Sequence, residues 1–199
     1  MINLGLDFDN TLINYDSLFQ KAASEKKLIP SNFPKSKKLI RDYLREKGLE
    51  DKFTLLQGEV YGSRITEAVQ SEGMFKALKD VQKKGVNLFI VSHKTKEPYS
   101  GPKFDLHEAA LSWLEKNMFF DKSGINIPKD NVFFEVTKEK KINRILSIGC
   151  THFIDDLPEI LEMIDPRIIK ILYSPLSERI SDNKVIYMNN WSNLNKIID

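Results

Sequence analysis

The chain has 199 residues, of which 41% are hydrophobic and 29% charged, and its formal net charge is +2. This composition is typical of a globular protein with one domain, or one domain with a modest insertion. No apolar run approaches the roughly 18 residues of a membrane span, and residues 1–6 lack the features of a signal peptide. Cys150 is the single cysteine, so no internal disulfide can form, and we expect a cytoplasmic protein without a membrane partner.

Positive charge is concentrated in residues 21–52, which contain ten Lys and Arg residues against five Asp and Glu. The whole chain has 30 Lys and Arg and 28 Asp and Glu, so the remainder is slightly acidic. A basic surface on an acidic body can attract anions. The alternative interpretation is a solvated helix face with no binding role.

The first part of the chain predicts one strand followed by a helical segment. Residues 2–8 form a short apolar run that ends in carboxylates, which is typical of a buried strand. Residues 15–72 are mainly helical, with Pro30 and Pro34 separating two helices and Gly48 ending the second. Two sets of apolar residues at helical spacing support this: Leu18, Phe19, Ala22 and Ala23, then Leu39, Ile40, Tyr43 and Leu44.

From Gly73 onwards the pattern alternates between helix and strand. Helices are predicted at 75–85, 106–114, 138–148 and from residue 158. Strands are predicted at 86–92, 131–135, 152–155 and 168–173, with a possible edge strand at 184–187. This alternation predicts an α/β fold, namely a Rossmann-like parallel sheet with helices on both faces, together with a small helical unit.

Polar residues stand at the ends of the predicted core strands. Asp7-Phe8-Asp9-Asn10-Thr11-Leu12 follows the first strand, Ser92 closes the second, and Asp155-Asp156 closes the fourth. Lys138, Lys140 and Lys141 open the helix after the third strand. Carboxyl ends of parallel strands share one edge of the sheet, so we expect these side chains to meet there.

The chemistry of such an edge can be stated from its residue types. Four carboxylates without a histidine or cysteine partner favour a hard cation, Mg²⁺ in particular. A lysine opposite the carboxylates is explained if a dianionic phosphate enters the same site. The expected partner is therefore a small phosphorylated metabolite.

The order of these residues resembles the motifs of haloacid dehalogenase (HAD) phosphatases. Asp7–Leu12 is similar to the first motif, Asp-x-Asp-x-Thr/Val-Leu/Ile. Ser92 after Phe89-Ile90-Val91 resembles the second motif, Lys141 the third, and Asp155-Asp156 the fourth. The resemblance spans almost the whole predicted core and implies a Mg²⁺-dependent phosphatase.

The resemblance also implies a role for each residue. Asp7 would attack phosphorus to form an aspartyl-phosphate, and Asp9 would protonate the leaving oxygen and later activate water. Mg²⁺ would be held by the Asp7 carboxylate, the Asp9 backbone carbonyl and Asp155, with Asp156 at the site or just behind it. Members of the family that displace halide lack an aspartate at the position of Asp9, so its presence favours phosphate esters.

Phosphate binding is the second implication of the resemblance. Ser92 and Lys141 would hold the phosphoryl oxygens, assisted by backbone N–H groups of Phe8, Asp9 and His93. Lys138 is the second choice for the catalytic lysine, because residues three apart on a helix share a face. Lys141 is preferred because it borders an apolar edge formed by Ile142, Ile145 and Leu146.

In this family a mobile helical cap stands between the first and second motifs. The corresponding assignment here is a core of residues 1–13 and 73–199 with a cap of residues 14–72. The loop Lys94–Lys103 is longer than a strand-to-helix turn needs, which makes Tyr99 and Lys103 candidates for substrate contact.

Two alternative functions stay open at the level of sequence. A phosphotransferase or mutase would use the same residues with an alcohol in place of water. A binding module without catalysis would keep only the fold; nucleic acid is not expected as its partner, because the basic segment lacks a recognised nucleic-acid-binding motif. The natural substrate and the oligomeric state are not determined by the sequence.

Overall fold

The computed structural model describes residues 1–175 and 184–198. Within these residues the strands are β1 (Asn3–Leu6), β2 (Ile13–Asn14), β3 (Val69–Gln70), β4 (Asn87–His93), β5 (Val132–Glu135), β6 (His152–Asp155), β7 (Ile169–Tyr173) and β8 (Ile186–Met188). The helices are α1 (Asp16–Glu25), α2 (Lys37–Glu46), α3 (Glu50–Tyr61), α4 (Met74–Lys83), α5 (Leu106–Lys116), α6 (Lys138–Ser147), α7 (Pro158–Met163) and α8 (Leu194–Ile198).

Six strands form one parallel sheet in the order β5-β4-β1-β6-β7-β8, and β2 pairs with β3 in a separate small sheet. β1 is central, and its residues Leu4 and Leu6 are fully buried. Burial on both faces explains why the strands are continuous apolar runs rather than alternating ones. The α/β class and the parallel sheet expected from the sequence are confirmed.

Close packing at β1 depends on a glycine. A Cβ atom added to Gly5 would lie 2.8 Å from the Sγ atom of Cys150 and would also overlap the ring of Phe153. Cys150 and Phe153 belong to the apolar cluster that covers this part of the sheet. Only glycine therefore allows the backbone of β1 to approach these side chains so closely.

The chain divides into two compact units. The core unit comprises Met1–Ile13, Gln70–Lys94 and Asn117–Asp199, and the helical unit comprises Asn14–Val69 and Thr95–Lys116. The helical unit thus contains α5 as well as α1, α2 and α3. The predicted cap was a single segment, residues 14–72, and the predicted core included residues 95–116.

Contacts of α5 explain its place in the helical unit. The fully buried Trp113 donates from Nε1 to the carbonyl oxygen of Ala68 at 2.9 Å. Lys116 donates from Nζ to the carbonyl oxygen of Thr66 at 2.7 Å. Elsewhere in the unit an aromatic cluster joins the helices, with the rings of Phe19 and Phe53 stacked 5.6 Å apart. These contacts join segments distant in sequence, which local periodicity does not detect.

Most element positions agree with the sequence prediction to within about two residues, as boundaries usually do. Gly58 lies inside α3, and Gly62 follows the end of this helix. The predicted edge strand at 184–187 is found as Ile186–Met188, and α8 had not been predicted. Among the described residues no helix is long and apolar enough to cross a membrane.

Candidate active site

Asp7 lies at the carboxyl end of the central strand, where its backbone N–H donates to the carbonyl oxygen of Ile154 at 2.9 Å. In the sheet register, Leu6 is level with Ile90 of β4 and with Ile154 of β6. Side chains that follow these positions therefore meet at one edge of the sheet. Asp7 is only 4% exposed, so its carboxylate is well screened from solvent.

Three carboxylates converge at this edge. Asp7, Asp155 and Asp156 each place one oxygen within 4.8 Å of the others. Burial raises the pKa of Asp155 and of Asp156 above the usual range, and the negative charge of Asp7 raises both further. A cation here would offset both the repulsion and the burial, and carboxylate oxygens suit a hard divalent ion such as Mg²⁺. The residues present therefore fit the metal that the sequence predicted.

Lys141 contacts two of these carboxylates. Its Nζ atom lies 2.5 Å from Oδ1 of Asp7 and 2.6 Å from Oδ2 of Asp155, and its side chain is 2% exposed. Burial disfavours the ammonium charge, but the charges of Asp7 and Asp155 outweigh this and raise the pKa of Lys141 to about 12. Lys141 therefore carries its positive charge at neutral pH.

The start of α6 determines where Lys141 points. The side chain of Thr137 accepts a hydrogen bond from the backbone N–H of Lys140, which caps the helix. Lys141 is consequently in the first turn, and Ile145, one turn further, is buried in the core. Leu146, which the sequence placed on the buried face, is 51% exposed.

Ser92 contacts the same oxygen of Asp7 as Lys141 does. Its hydroxyl donates to Oδ1 of Asp7 at 2.9 Å, and the residue is 1% exposed near the end of β4. On the opposite side, the backbone N–H of Leu157 donates to Oδ1 of Asp155 at 2.9 Å. One hydroxyl, one ammonium and one backbone N–H thus orient the two carboxylates.

Asp9 and Asp156 have partners of their own. Nζ of Lys94 lies 3.0 Å from both carboxylate oxygens of Asp9. The Nδ2 atom of Asn10 donates to Oδ2 of Asp156 at 3.3 Å. All four residues belong to the core unit. The sequence-predicted carboxylates are therefore held by specific donors.

Lys94 is the charged residue that the sequence analysis missed, since it was treated only as the first residue of a loop. A signal was present, because side chains two apart on a strand project to the same face. Lys94 follows Ser92 by two residues, and its backbone N–H continues the sheet by donating to the carbonyl oxygen of Glu135 at 2.8 Å.

The remaining predicted residues are more exposed than the buried residues Asp7, Ser92, Lys141 and Asp155. His93 ends β4 with its side chain partly exposed, and Nζ of Lys138 lies 2.7 Å from Oε1 of Glu159. Tyr99 is 81% exposed. The Lys103 side chain is 82% exposed, and its Nζ is 3.1 Å from Oε2 of Glu97, so these two side chains extend into solvent.

Comparison with known proteins identifies the class of fold. No protein-family model matches the chain, and no curated protein matches it either. Solved structures do match over nearly the full length. A HAD-superfamily hydrolase from Ehrlichia chaffeensis is 14% identical with a TM-score of 0.58, covering 98% of this chain and 95% of its own. The protein described here therefore has the HAD-like fold.

Two further structures show the range of proteins on this fold. A phosphoserine phosphohydrolase-like protein from Francisella tularensis is 17% identical, with a TM-score of 0.60 and complete coverage of both chains. A dehalogenase is 12% identical, with a TM-score of 0.57, covering 99% of this chain and 96% of its own. At such identities the similarity extends to the fold alone.

Proposed function

We propose that this protein is a Mg²⁺-dependent phosphatase that hydrolyses a small phosphate monoester through an aspartyl-phosphate on Asp7. The observation that carries the proposal is the convergence of Ser92 and Lys141 on Asp7 beside a cluster of three carboxylates. A buried ammonium and a hydroxyl next to a nucleophilic carboxylate are suited to hold a transferring phosphoryl group.

In the first step, an oxygen of Asp7 forms a bond to phosphorus while the bond from phosphorus to the leaving oxygen breaks. Asp9, in its protonated form, transfers its proton to that leaving oxygen. In the second step, the Asp9 carboxylate accepts a proton from water as the water oxygen bonds to phosphorus and the bond from phosphorus to the Asp7 oxygen breaks. Inorganic phosphate leaves and Asp7 is regenerated, so atoms and protons balance.

Metal binding would involve residues of the same edge. The Asp7 and Asp155 carboxylates and the backbone carbonyl of Asp9 would hold Mg²⁺, with Asp156 at the site or just behind it. The ion would supply positive charge to the phosphoryl oxygens. Lys141 supplies charge from the protein, and Ser92 orients the Asp7 carboxylate.

Asp9 supports a phosphatase rather than a dehalogenase, although a dehalogenase shares the fold. Displacement of halide from carbon needs no proton on the leaving group, whereas an alkoxide leaves slowly without one. An acid placed two residues after the nucleophile is therefore an argument for an oxygen leaving group.

The test is phosphate release from an aryl phosphate with Mg²⁺, with EDTA added in parallel. Asp7→Asn should lower turnover by about 10⁴ to 10⁶, as loss of a nucleophile within a catalytic unit does. Asp80→Asn is the matched control, since Asp80 is paired with Lys76 at the surface. Turnover of Asp7→Asn within tenfold of wild type would contradict the proposal, and halide release from a haloacid without phosphatase activity would favour a dehalogenase.

A further inference from the structure

Lys94 binds the Asp9 carboxylate symmetrically. Its Nζ atom lies 3.0 Å from Oδ1 and 3.0 Å from Oδ2, so it is equidistant from the two oxygens. The terminal torsion of an aspartate side chain has only weak intrinsic preferences. An ammonium equidistant from both oxygens therefore favours one orientation of the Asp9 carboxylate over the others.

The lysine is itself held in place from several directions. Its side chain is 2% exposed, whereas that of Asp9 is 20% exposed. Its Nζ atom lies 5.4 Å from the ring centroid of Phe8, and that ring meets Phe134 edge-on at 5.7 Å. Its backbone N–H is fixed by the carbonyl oxygen of Glu135. Lys94 is thus more firmly anchored than the carboxylate that it binds.

We propose that Lys94 is a positioning residue that orients Asp9 for proton transfer to and from the reacting oxygens. This inference rests on the proposed function, in which Asp9 is the acid and base. Proton transfer requires the carboxyl group to lie within hydrogen-bond reach of the leaving oxygen. Without this partner, the partly exposed Asp9 carboxylate would spend much of its time in orientations that cannot transfer a proton.

The experiment compares Lys94→Met with wild type on an alkyl phosphate and on an aryl phosphate with a good leaving group. The alkyl phosphate depends strongly on protonation of the leaving oxygen, so its kcat/KM, which reports phosphoryl transfer to Asp7, should fall by about 100-fold, the usual effect of a misplaced catalytic group. The kcat/KM of the aryl phosphate should fall about tenfold or less, since its leaving group needs little protonation. Lys76→Met is the matched control at the surface of the same unit, and it should match wild type on both substrates.

A second comparison separates positioning from a merely structural role. If Lys94 acts through Asp9, the double variant Lys94→Met/Asp9→Asn should be no slower than Asp9→Asn alone. A structural defect would instead multiply the two losses. Equal losses on both substrates, or multiplied losses in the double variant, would overturn the inference. A rise in KM at unchanged kcat would also overturn it, because it would indicate direct substrate binding by Lys94.

Folding is checked by thermal unfolding of each variant. If Lys94→Met does not fold, Lys94→Gln replaces it, because the amide of glutamine retains a hydrogen-bond donor for the Asp9 carboxylate. The same unequal loss on the two substrates is expected for this variant. An equal loss would overturn the inference. Failure of the proposed function is distinguishable, since wild type would then release no phosphate from either substrate.

Discussion

At the scale of single residues, the site depends on one buried cation shared between two acids. Lys141 lies within 2.6 Å of both Asp7 and Asp155, and all three side chains are almost fully buried. Removing one member of such a network leaves an uncompensated charge in a poorly solvated place. Lys141 therefore affects both the electrostatics of the carboxylates and their positions.

The lysines that open α6 should differ sharply on substitution. Lys141→Ala should lower kcat/KM by at least roughly 2 to 4 kcal/mol, which is typical for loss of a preorganised charge contact. Lys138→Ala and Lys140→Ala are matched controls and should have little effect, because Lys138 pairs with Glu159 and Lys140 is exposed. Steady-state kinetics at saturating Mg²⁺ measure this. A larger loss for Lys138→Ala would reject the assignment of Lys141.

Sequence patterns predicted the acidic residues of the site better than their partners. Asp7 directly follows the strand β1, Asp9 lies two residues further on, and Asp155 is the last residue of the buried strand β6, where a charged residue is conspicuous. The preference for Lys141 over Lys138 came from helix spacing and from the resemblance. The spacing of two residues from Ser92 places Lys94 on the same strand face, but this spacing does not reveal its contact with Asp9, 85 positions away.

At the scale of elements, the position of β1 depends on Gly5, because this residue has no side chain. The space beside Gly5 is occupied by Cys150, which lies shortly after α6, and by Phe153, which lies on β6. The strand that carries Asp7 at its end is therefore held against the strand that ends in Asp155. Burial raises the pKa of the Cys150 thiol to about 12, so the residue is a packing group rather than a nucleophile.

Gly5→Ala should destabilise the protein, because overpacking a tight core typically costs about 1 to 3 kcal/mol. Cys150→Ala removes one of the two groups that the new Cβ would meet. The double variant should consequently be less destabilised than the sum of the two single changes. Urea unfolding monitored by tryptophan fluorescence measures all three variants. Additive losses would show that Cys150 does not restrict the space beside Gly5.

At the scale of the whole molecule, the basic charge belongs to one unit. Residues 21–52 carry the excess of Lys and Arg and lie entirely in the helical unit. Part of this charge is neutralised locally, since Lys21 pairs with Glu67 and Lys26 with Glu59. The alternation of helix and strand was sufficient to predict the parallel sheet. It could not assign Thr95–Lys116 to the helical unit, because contacts of Trp113 with a distant segment decide that.

We expect the helical unit to influence substrate choice through its charge, as a cap would. Changing Lys27, Lys35 and Lys38 together to Gln should raise KM more for substrates with several negative charges than for singly charged ones. A control with Lys76 and Lys83 changed to Gln alters charge in the core unit instead. KM is measured with both substrate types at low and moderate salt, since screening should reduce the effect. Equal changes for both types would support a purely solvated face.

The composition of the helical unit from two segments has a practical consequence for making chimeras. The chain enters and leaves this unit twice, after residues 13, 69, 94 and 116. Exchanging residues 14–69 alone with a homologous protein would pair the native Trp113 with a foreign segment in place of the one that supplies the carbonyl group of Ala68. A graft that transfers specificity must therefore carry Thr95–Lys116 along with Asn14–Val69. Lys94 stays with the core unit, as the last core residue before the second grafted segment.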